Sequence, residues 1–367
     1  MSMEKYNKIH FIGIGGISMS SLAEILKSKG KTITGSDGVA SNVTKALENI
    51  GIQVSIGQKA ENITPDTDLI VYTAAVKEDN PELMAARASG IETVDRAALV
   101  GMMMLEYKFP LSVAGTHGKT TTSSLVTEIF LEANTNPTVS IGGILPSIKG
   151  NYKVGGEDYF ILETCEYCDS FLKFNPHGAI ILNIDADHLD YFKNLDNIYK
   201  SFNKFANRLP EGGFLVINNE IPRLSEVLEG VKAKVITYGK DNTADWYPTD
   251  VTFNDLGHAT YTVNHKGEKI AQVELSIPGM HNVYNSLSAF ALATCYGVAT
   301  EDIVKGIKNF TGTDRRFQFK GQFNGVNVID DYAHHPTEIQ ATINSARGTK
   351  LNKLWIMFQP HTYTRTY

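Results

Sequence analysis

The sequence predicts an α/β protein built on doubly wound parallel sheets, and three observations support this fold class. Short apolar strand patterns alternate with helical patterns along most of the chain. Several of these strands are continuous apolar runs, which is typical of parallel strands buried on both faces. The first strand, residues 8–12, runs directly into a glycine-rich turn. At about 150 residues per domain, the 367 residues correspond to two or three domains.

The first predicted unit covers residues 1–107 and begins with that strand and turn. Further strands at 32–35 and 69–72 continue the alternation. Glycines at such a turn let a nucleotide approach the N-terminus of the next helix. Ser18 stands where a dinucleotide fingerprint has its third glycine, so the turn favours a nucleotide or nucleotide-sugar over NAD. The candidate ligand-binding residues of this unit are Gly13, Gly15, Gly16, Ile17, Ser18, Asp37 (near the usual position of a ribose-binding acid) and Thr73.

The second predicted unit, residues 108–316, opens with a phosphate-loop motif between an apolar strand and a predicted amphipathic helix. Backbone N–H groups of the loop and the N-terminus of the helix can hold an anion. Lys119 adds a mobile positive charge, and the hydroxyl of Thr120 can bind Mg²⁺. Val113 stands where the longer form of the loop has a glycine, so this is a shortened version. The sequence therefore predicts an ATP site. Its residues are Gly115, Thr116, His117, Gly118, Lys119, Thr120 and Thr121.

A magnesium site is predicted beside this loop. Glu163 ends a buried strand at 159–163, and His188 follows another at 179–183. Because the carboxyl ends of parallel strands meet at one edge of a sheet, Thr120, Glu163 and His188 are expected to converge there. Imidazole is an unusual Mg²⁺ ligand, so His188 as a helix-cap or core residue is the alternative. The nearby Cys165 and Cys168 are expected to pack as small side chains rather than to act as redox or zinc ligands.

Later motifs in this unit suggest contacts to the base and to the terminal phosphate. A β-rich insert contains a strand at 259–263 and precedes a small-residue helix from about 285 to 296. His281 and Asn285 lie one helical turn apart and are candidates to face adenine, unless the motif serves only as an N-cap by Asn282. Arg316 can place its planar guanidinium on phosphoryl oxygens, although paired arginines in a hinge are often solvated.

The third predicted unit, residues 317–367, has two strands, a helix at 336–347 and a last strand at 354–358. A doubly wound domain needs about five strands, so this unit is expected to be incomplete and to expose an apolar edge. Two dense polar loops, at 330–338 and 359–365, contain the candidate site residues Tyr332, His334 and Arg365. Pro336, followed by Thr337 and Glu338, is also typical of the first turn of a helix without any binding role.

Composition limits the class of protein further. Lys and Arg number 34 against 40 Asp and Glu, and the net charge of −6 argues against a nucleic-acid-binding surface. The sequence shows no hydrophobic signal segment and no apolar run long enough for a membrane span. Three cysteines cannot build a disulfide framework, so a reducing cytoplasm is expected. The sequence indicates no oligomeric state.

Together these motifs resemble those of the Mur ligase family, in family order and over nearly the whole chain. The matching segments are residues 13–16, 115–121, 187–188, 281–285, 315–317, 330–336 and 359–361. The resemblance implies an N-terminal Rossmann-like domain for a UDP-sugar and a central P-loop ATPase domain with its β-rich insert. It also implies a C-terminal Rossmann-like domain for an amino acid, incomplete in this chain.

The resemblance also implies an activity and roles for the candidate residues. The expected reaction is ATP-dependent ligation of L-alanine to the lactyl carboxylate of UDP-N-acetylmuramate through an acyl phosphate. Lys119, His188, Arg316 and His334 would be catalytic. Thr120, Glu163 and His188 would hold Mg²⁺, His281 and Asn285 would face adenine, Arg316 would face the γ-phosphate, and Tyr332, His334 and Arg365 would lie near the reacting groups.

Three other functions remain open at this point. A related ligase attaches a recycled tripeptide to the same sugar nucleotide. A chain with a truncated third domain could hold the UDP-sugar and ATP without forming the amide. An NAD oxidoreductase is disfavoured by the second nucleotide loop. Phe202 stands where sister ligases carry a carboxylated lysine, so that metal-binding device is not expected.

Overall fold

A computed structural model describes residues 3–360 and places their strands in three sheets of five, ten and two strands. Arg365 lies outside the described residues. Among residues 3–360 there is no helix with the length and apolar character needed to cross a lipid bilayer. The predicted α/β fold class is confirmed.

The five-stranded sheet is wholly parallel, in the order β3-β2-β1-β4-β5, with helices on both faces as the alternating pattern predicts. Its strands are β1 (Lys8–Ile12), β2 (Thr32–Asp37), β3 (Gln53–Ile56), β4 (Leu69–Tyr72) and β5 (Glu92–Asp95). Its helices are α1 (Ile17–Ser28), α2 (Asn42–Asn49), α3 (Pro81–Ala88) and α4 (Arg96–Met104).

A buried polar pair joins α3 to this sheet. His10 on β1 and Glu82 on α3 are 3% and 0% exposed, and His10 Nε2 lies 2.7 Å from Glu82 Oε1. The other ring nitrogen of His10 lies 2.8 Å from Thr34 Oγ1, and Ser36 donates to Glu82 Oε2 at 2.6 Å. Because both groups are out of water, each depends on these partners for its hydrogen bonds.

The ten-stranded sheet combines a parallel part with the predicted β-rich insert, in the order β15-β14-β13-β12-β11-β10-β6-β9-β7-β8. Strands β13–β15 pair with one another in antiparallel fashion, and a single residue pair, Tyr238 with Trp246, joins them to β12. The strands are β6 (Phe109–Ala114), β7 (Thr138–Leu145), β8 (Gly150–Lys153), β9 (Tyr159–Glu163), β10 (Gly178–Ile181), β11 (Phe214–Asn218), β12 (Lys234–Tyr238), β13 (Trp246–Phe253), β14 (His258–His265) and β15 (Glu268–Pro278).

Six helices accompany this sheet, and two of them differ from the predictions. They are α5 (Lys119–Glu132), α6 (Leu189–Phe192), α7 (Leu195–Ala206), α8 (Leu224–Leu228), α9 (Met280–Cys295) and α10 (Thr300–Asn309). Helix α9 begins about five residues before the predicted start, because Gly279, with φ of 101°, turns the chain directly from β15 into the helix.

Helix α5 was predicted to be amphipathic but is buried on nearly all sides. Its apolar side chains pack as expected, yet Thr122, Ser123 and Thr127 are also fully buried. Two of these hydroxyls donate to the helix's own carbonyls, Ser123 to Thr120 O at 3.1 Å and Thr127 to Ser123 O at 2.8 Å. Small hydroxyl residues can therefore face the interior without other polar partners. The helix packs against α9 and α10 as well as the sheet.

The third unit contains a hairpin and one helix: β16 (Gln318–Phe323), β17 (Val326–Asp330) and α11 (Pro336–Arg347). The predicted strand at 354–358 is wrong, since these residues form no strand and Trp355 and Met357 are largely exposed. A strand needs a partner edge, and among the described residues the hairpin pairs only with itself. Lys350, just after α11, donates its backbone N–H to Asp255 O in the insert at 2.9 Å.

We expect His10→Ala to lower the free energy of unfolding by about 3 kcal/mol, because the buried carboxyl group of Glu82 would lose the partner of its Oε1 atom. Urea unfolding followed by circular dichroism measures this as a lower midpoint. Lys5→Ala removes an exposed ion pair with Glu92 and is the control, with little expected change. An unchanged midpoint for His10→Ala would show that the buried pair does not stabilise this sheet.

Candidate active site

The phosphate-loop motif forms a tight turn between β6 and α5. Gly115 and Gly118 have positive φ values of 139° and 83°, a conformation that favours glycine. A Cβ atom at Gly118 would lie 3.0 Å from Asn285 Oδ1, and one at Gly115 would lie 3.0 Å from Leu182 Cβ. Gly118 is the N-cap of α5 and has no side-chain oxygen to bond the first N–H groups of the helix. The turn therefore has the local geometry of an anion site.

Asn183, immediately beyond β10, fixes the shape of this turn. Its side chain accepts from His117 N at 2.8 Å and donates to His117 O at 3.0 Å, while its own carbonyl accepts from Thr116 N at 3.1 Å. The hydroxyl of Thr116 in turn accepts from Asp185 N at 2.9 Å. Asn183 was not among the predicted site residues, and its position at the end of a predicted buried strand was the available signal.

Lys119 is held at the base of the turn. Its ammonium donates to Gly115 O at 2.5 Å, to Thr116 O at 3.0 Å and to Glu166 Oε2 at 3.1 Å. Burial disfavours the charge on Lys119, but the attraction of Glu166, with smaller contributions from Cys165 and Glu163, outweighs it and raises the pKa of Lys119. The lysine therefore remains a cation inside the protein.

Glu166 is a site residue that the sequence analysis missed, because its segment drew attention only for Cys165 and Cys168. Glu166 is 2% exposed, and its carboxylate lies between Lys119 and His188. Burial raises the pKa of the Cys165 thiol, in agreement with a packing role. Cys168 is exposed, so the expectation that both sulfurs pack is wrong for this residue.

The predicted metal residues lie at the same edge of the sheet, but they form two contacts rather than one cluster. Thr120 Oγ1 donates to Glu163 Oε1 at 3.1 Å, and Gly142 N donates to Glu163 Oε2 at 2.8 Å. His188 Nε2 lies 3.9 Å from Glu166 Oε1. His188 also occupies the N-cap position of α6, with φ of 53°, but its side chain does not cap the helix. Hydroxyl and carboxylate oxygens of this kind suit Mg²⁺.

His281 and Asn285 both lie in the first two turns of α9 but face different surroundings. Asn285 is buried against Gly118 and donates to Asn282 Oδ1 at 3.0 Å. His281 is exposed and lines a cavity of about 290 Å³ between the insert, α9 and α11. Asn282 is inside the helix and donates to Pro278 O, so it is not the N-cap. Asn285 therefore contacts the phosphate loop, and His281 faces the adjacent cavity.

The candidate residues near the start of the third unit form a second group. The guanidinium carbon of Arg316 lies 5.7 Å from the ring centre of Tyr332. His334 Nδ1 lies 3.1 Å from Tyr332 O, and His334 N donates to Glu338 Oε2 at 3.3 Å. Glu338 also completes a capping box with His335 at the start of α11. The helix-initiation interpretation of this segment therefore holds alongside any role in binding.

The glycine-rich turn of the first sheet is accessible and is tied to Asp37. Gly15 N donates to Asp37 Oδ2 at 2.9 Å, and a Cβ at Gly15 would clash with the same oxygen at 2.8 Å. A Cβ at Gly13 would lie 2.7 Å from Thr73 Cγ2, so these two candidate residues also pack together. Gly16, Ile17 and Ser18 are exposed where α1 begins.

The fold and the site define a multidomain α/β protein with a phosphate loop and a separate glycine-rich turn. Family models match in three consecutive stretches: the Mur ligase family catalytic domain at residues 8–108, the Mur ligase middle domain at 113–293, and the Mur ligase glutamate ligase domain at 315–366. The chain belongs to the Mur ligase family, as its motifs predicted.

Individual relatives give the same result. The chain is 53% identical over 358 residues to the UDP-N-acetylmuramate–L-alanine ligase of Agathobacter rectalis, covering 98% of this chain and 78% of the relative. The solved UDP-N-acetylmuramate–alanine ligase of Thermotoga maritima superposes with a TM-score of 0.79 at 31% identity, covering 93% and 77% of the two chains. A murein peptide ligase from Psychrobacter arcticus has a TM-score of 0.78 at 27% identity, covering 93% and 76%.

We expect Asn183→Ala to weaken binding of a non-hydrolysable ATP analogue about 30-fold, because the turn would lose two side-chain hydrogen bonds worth about 1 kcal/mol each. Calorimetric titration in the presence of Mg²⁺ measures the change. Asn264→Ala is the control, since the side chain of Asn264 also donates hydrogen bonds but lies in the insert. Equal affinities for the two variants would mean that Asn183 does not shape the nucleotide site.

Proposed function

We propose that this chain catalyses ATP-dependent ligation of L-alanine to the lactyl carboxylate of UDP-N-acetylmuramate, a step of peptidoglycan precursor synthesis. Family membership and the names of its relatives support the reaction. The observation that carries the proposal is the Lys119 cation at the base of an anion-binding turn, with Thr120 and Glu163 beside it. We assign residues 1–107 to the UDP-sugar, 108–316 to ATP and 317–367 to the amino acid.

The oxygens beside the turn fit Mg²⁺. Thr120 and Glu163 would hold the ion, and His188 would be a further ligand. The carboxylate of Glu166, 3.9 Å from His188 Nε2, lies beside this ligand. When bound, Mg²⁺ neutralises charge that builds up on the transferring phosphoryl group. Gly142 N holds one oxygen of Glu163, so the carboxylate is already oriented.

The chemistry requires activation of the substrate carboxylate. A carboxylate is too stable to accept an amine, so the γ-phosphoryl group of ATP is first transferred to it, giving ADP and an acyl phosphate. The amine of L-alanine then attacks the acyl carbon, and phosphate leaves from a tetrahedral intermediate. Lys119 would exchange its contacts with Glu166 and the loop carbonyls for phosphate oxygens, while Arg316 would stabilise the charge on the γ-phosphate.

The remaining candidates would bind and position the substrates. His281 would contact adenine from the cavity beside α9, and Asn285 would position the phosphate loop. Tyr332 and His334, with Arg365 beyond the described residues, would place L-alanine near the acyl phosphate. In the first unit the sugar nucleotide would bind across the glycine-rich turn that begins α1.

A tripeptide-recycling ligase acting on the same sugar nucleotide is less well supported. The murein peptide ligase resembles this chain in fold, but the relative with 53% identity is an L-alanine ligase. Release of phosphate from ATP and UDP-N-acetylmuramate should therefore depend on L-alanine and not on the recycled tripeptide. Dependence on the tripeptide would contradict the proposal, and so would an absence of product from all three substrates.

We expect Lys119→Ala to reduce ATP turnover by about 100-fold or more, because the phosphate loop would lose the cation that stabilises charge on the transferring phosphate. Binding of UDP-N-acetylmuramate, measured by calorimetry, should remain close to that of the unaltered chain. Lys200→Ala changes an exposed lysine on α7 and is the matched control, with unchanged turnover. Equal loss of turnover and of sugar-nucleotide binding in Lys119→Ala would contradict the assignment of the two sites to different domains.

A further inference from the structure

Three potential metal ligands meet where the third unit contacts the phosphate loop. His117 comes from the loop, Asp185 follows β10, and His335 precedes α11. One ligand atom from each residue lies within 4.8 Å of the other two. None of the three is among the residues assigned above to Mg²⁺, and all three are partly exposed, so an ion can reach them from solvent.

The spacing of these atoms suits a small ion. His117 Nε2 lies 3.3 Å from Asp185 Oδ2. Metal–ligand bonds of about 2.1 Å in a tetrahedral site place neighbouring ligands about 3.4 Å apart, so this pair is already at the required separation. The rings of His117 and His335 have centres 4.5 Å apart, and His335 Nε2 lies 3.4 Å from the carbonyl oxygen of Ala186, the residue after Asp185.

Neighbouring side chains orient two of the ligands. Glu338 Oε1 lies 3.3 Å from His117 Nδ1, the nitrogen that does not face Asp185, and Thr337 Oγ1 donates to Asp185 Oδ2 at 3.0 Å. A carboxylate that accepts from Nδ1–H holds the proton on that nitrogen and leaves the lone pair of Nε2 toward the cluster, as in metal-bound histidines.

We propose that His117, Asp185 and His335 bind one divalent transition-metal ion of the zinc class, with Glu338 orienting His117. Two imidazoles and one carboxylate favour zinc, cobalt or nickel over Mg²⁺, which takes oxygen ligands. Bound metal ties the start of α11 to the phosphate loop. This inference does not depend on the reaction proposed above, because the ligands are identified by their own geometry.

Titration of the whole chain with Zn²⁺ and a chromophoric competitor, in excess Mg²⁺, tests the site. We expect one Zn²⁺ per chain, and an affinity lowered at least tenfold in His117→Ala and His335→Ala. Glu338→Gln should weaken binding by about tenfold or more, as outer partners of metal-bound histidines do. Substituting Co²⁺ should give a visible absorption band in the unaltered chain that is lost in His335→Ala. Far-ultraviolet circular dichroism establishes that each variant is folded.

Two further variants separate this site from the other possibilities. His188→Ala alters the proposed Mg²⁺ site, and His258→Ala removes a histidine from the insert; both should keep the unaltered Zn²⁺ affinity. Retention of tight binding by His335→Ala, with loss in His188→Ala, would place the ion beside Glu166 and overturn the proposal. Absence of Zn²⁺ binding by the unaltered chain would overturn it as well.

Discussion

The buried charge of Lys119 is the constraint on which the central site depends. An ammonium group inside a protein needs hydrogen-bond acceptors, and the loop supplies two backbone carbonyls while Glu166 supplies a carboxylate. The carbonyls of Gly115 and Thr116 are therefore directed at the lysine, and the first N–H groups of α5 have no side-chain cap. One short segment thus presents a cation and an array of N–H donors to the same edge of the sheet.

Glu166 also links the phosphate loop to a distant part of the chain. It neutralises Lys119 and also lies near His188, so a single buried carboxylate connects the phosphate loop to the segment after β10. Asn183 makes a parallel connection through the backbone of His117. The loop is held from two directions by residues distant in the sequence, and its glycines pack against Leu182 and Asn285. Its shape is fixed by tertiary contacts as much as by its own glycines.

The parallel strands could be predicted from the sequence because a strand buried on both faces appears as a continuous run of apolar residues. The predicted strands at 8–12 and 159–163 agree with β1 and β9 residue for residue. The start of α9 was misplaced because the segment Gly-Met-His-Asn has no strong helix signal. The turn into the helix depends on the positive φ of Gly279, which the sequence does not reveal. The strand at 354–358 was wrong because apolar character indicates a need for burial, whereas a strand also requires a partner edge.

The site was only partly predictable, for a different reason. The phosphate loop, Glu163 and His188 stand at strand ends, and parallel topology brings such positions together. Glu166 and Asn183 were missed because their importance comes from partners 47 and 66 residues away in the sequence. The contact between His117 and Glu338 spans 221 residues. Nothing in either local motif indicates that pairing, which exists because α11 packs beside the loop.

The direct passage from β15 through Gly279 into α9 has a consequence for the insert. The residues that face the cavity and the phosphate loop, His281 and Asn285, are carried on the first turns of a helix whose direction is set by the last strand of that insert. A single residue pair joins the insert to β12, but the insert also packs against α9 and α10 and shares a buried core with them, so these elements form one packed body. Substitutions that shift the end of β15 will therefore also shift the start of α9, and with it the two side chains that face the cavity and the phosphate loop.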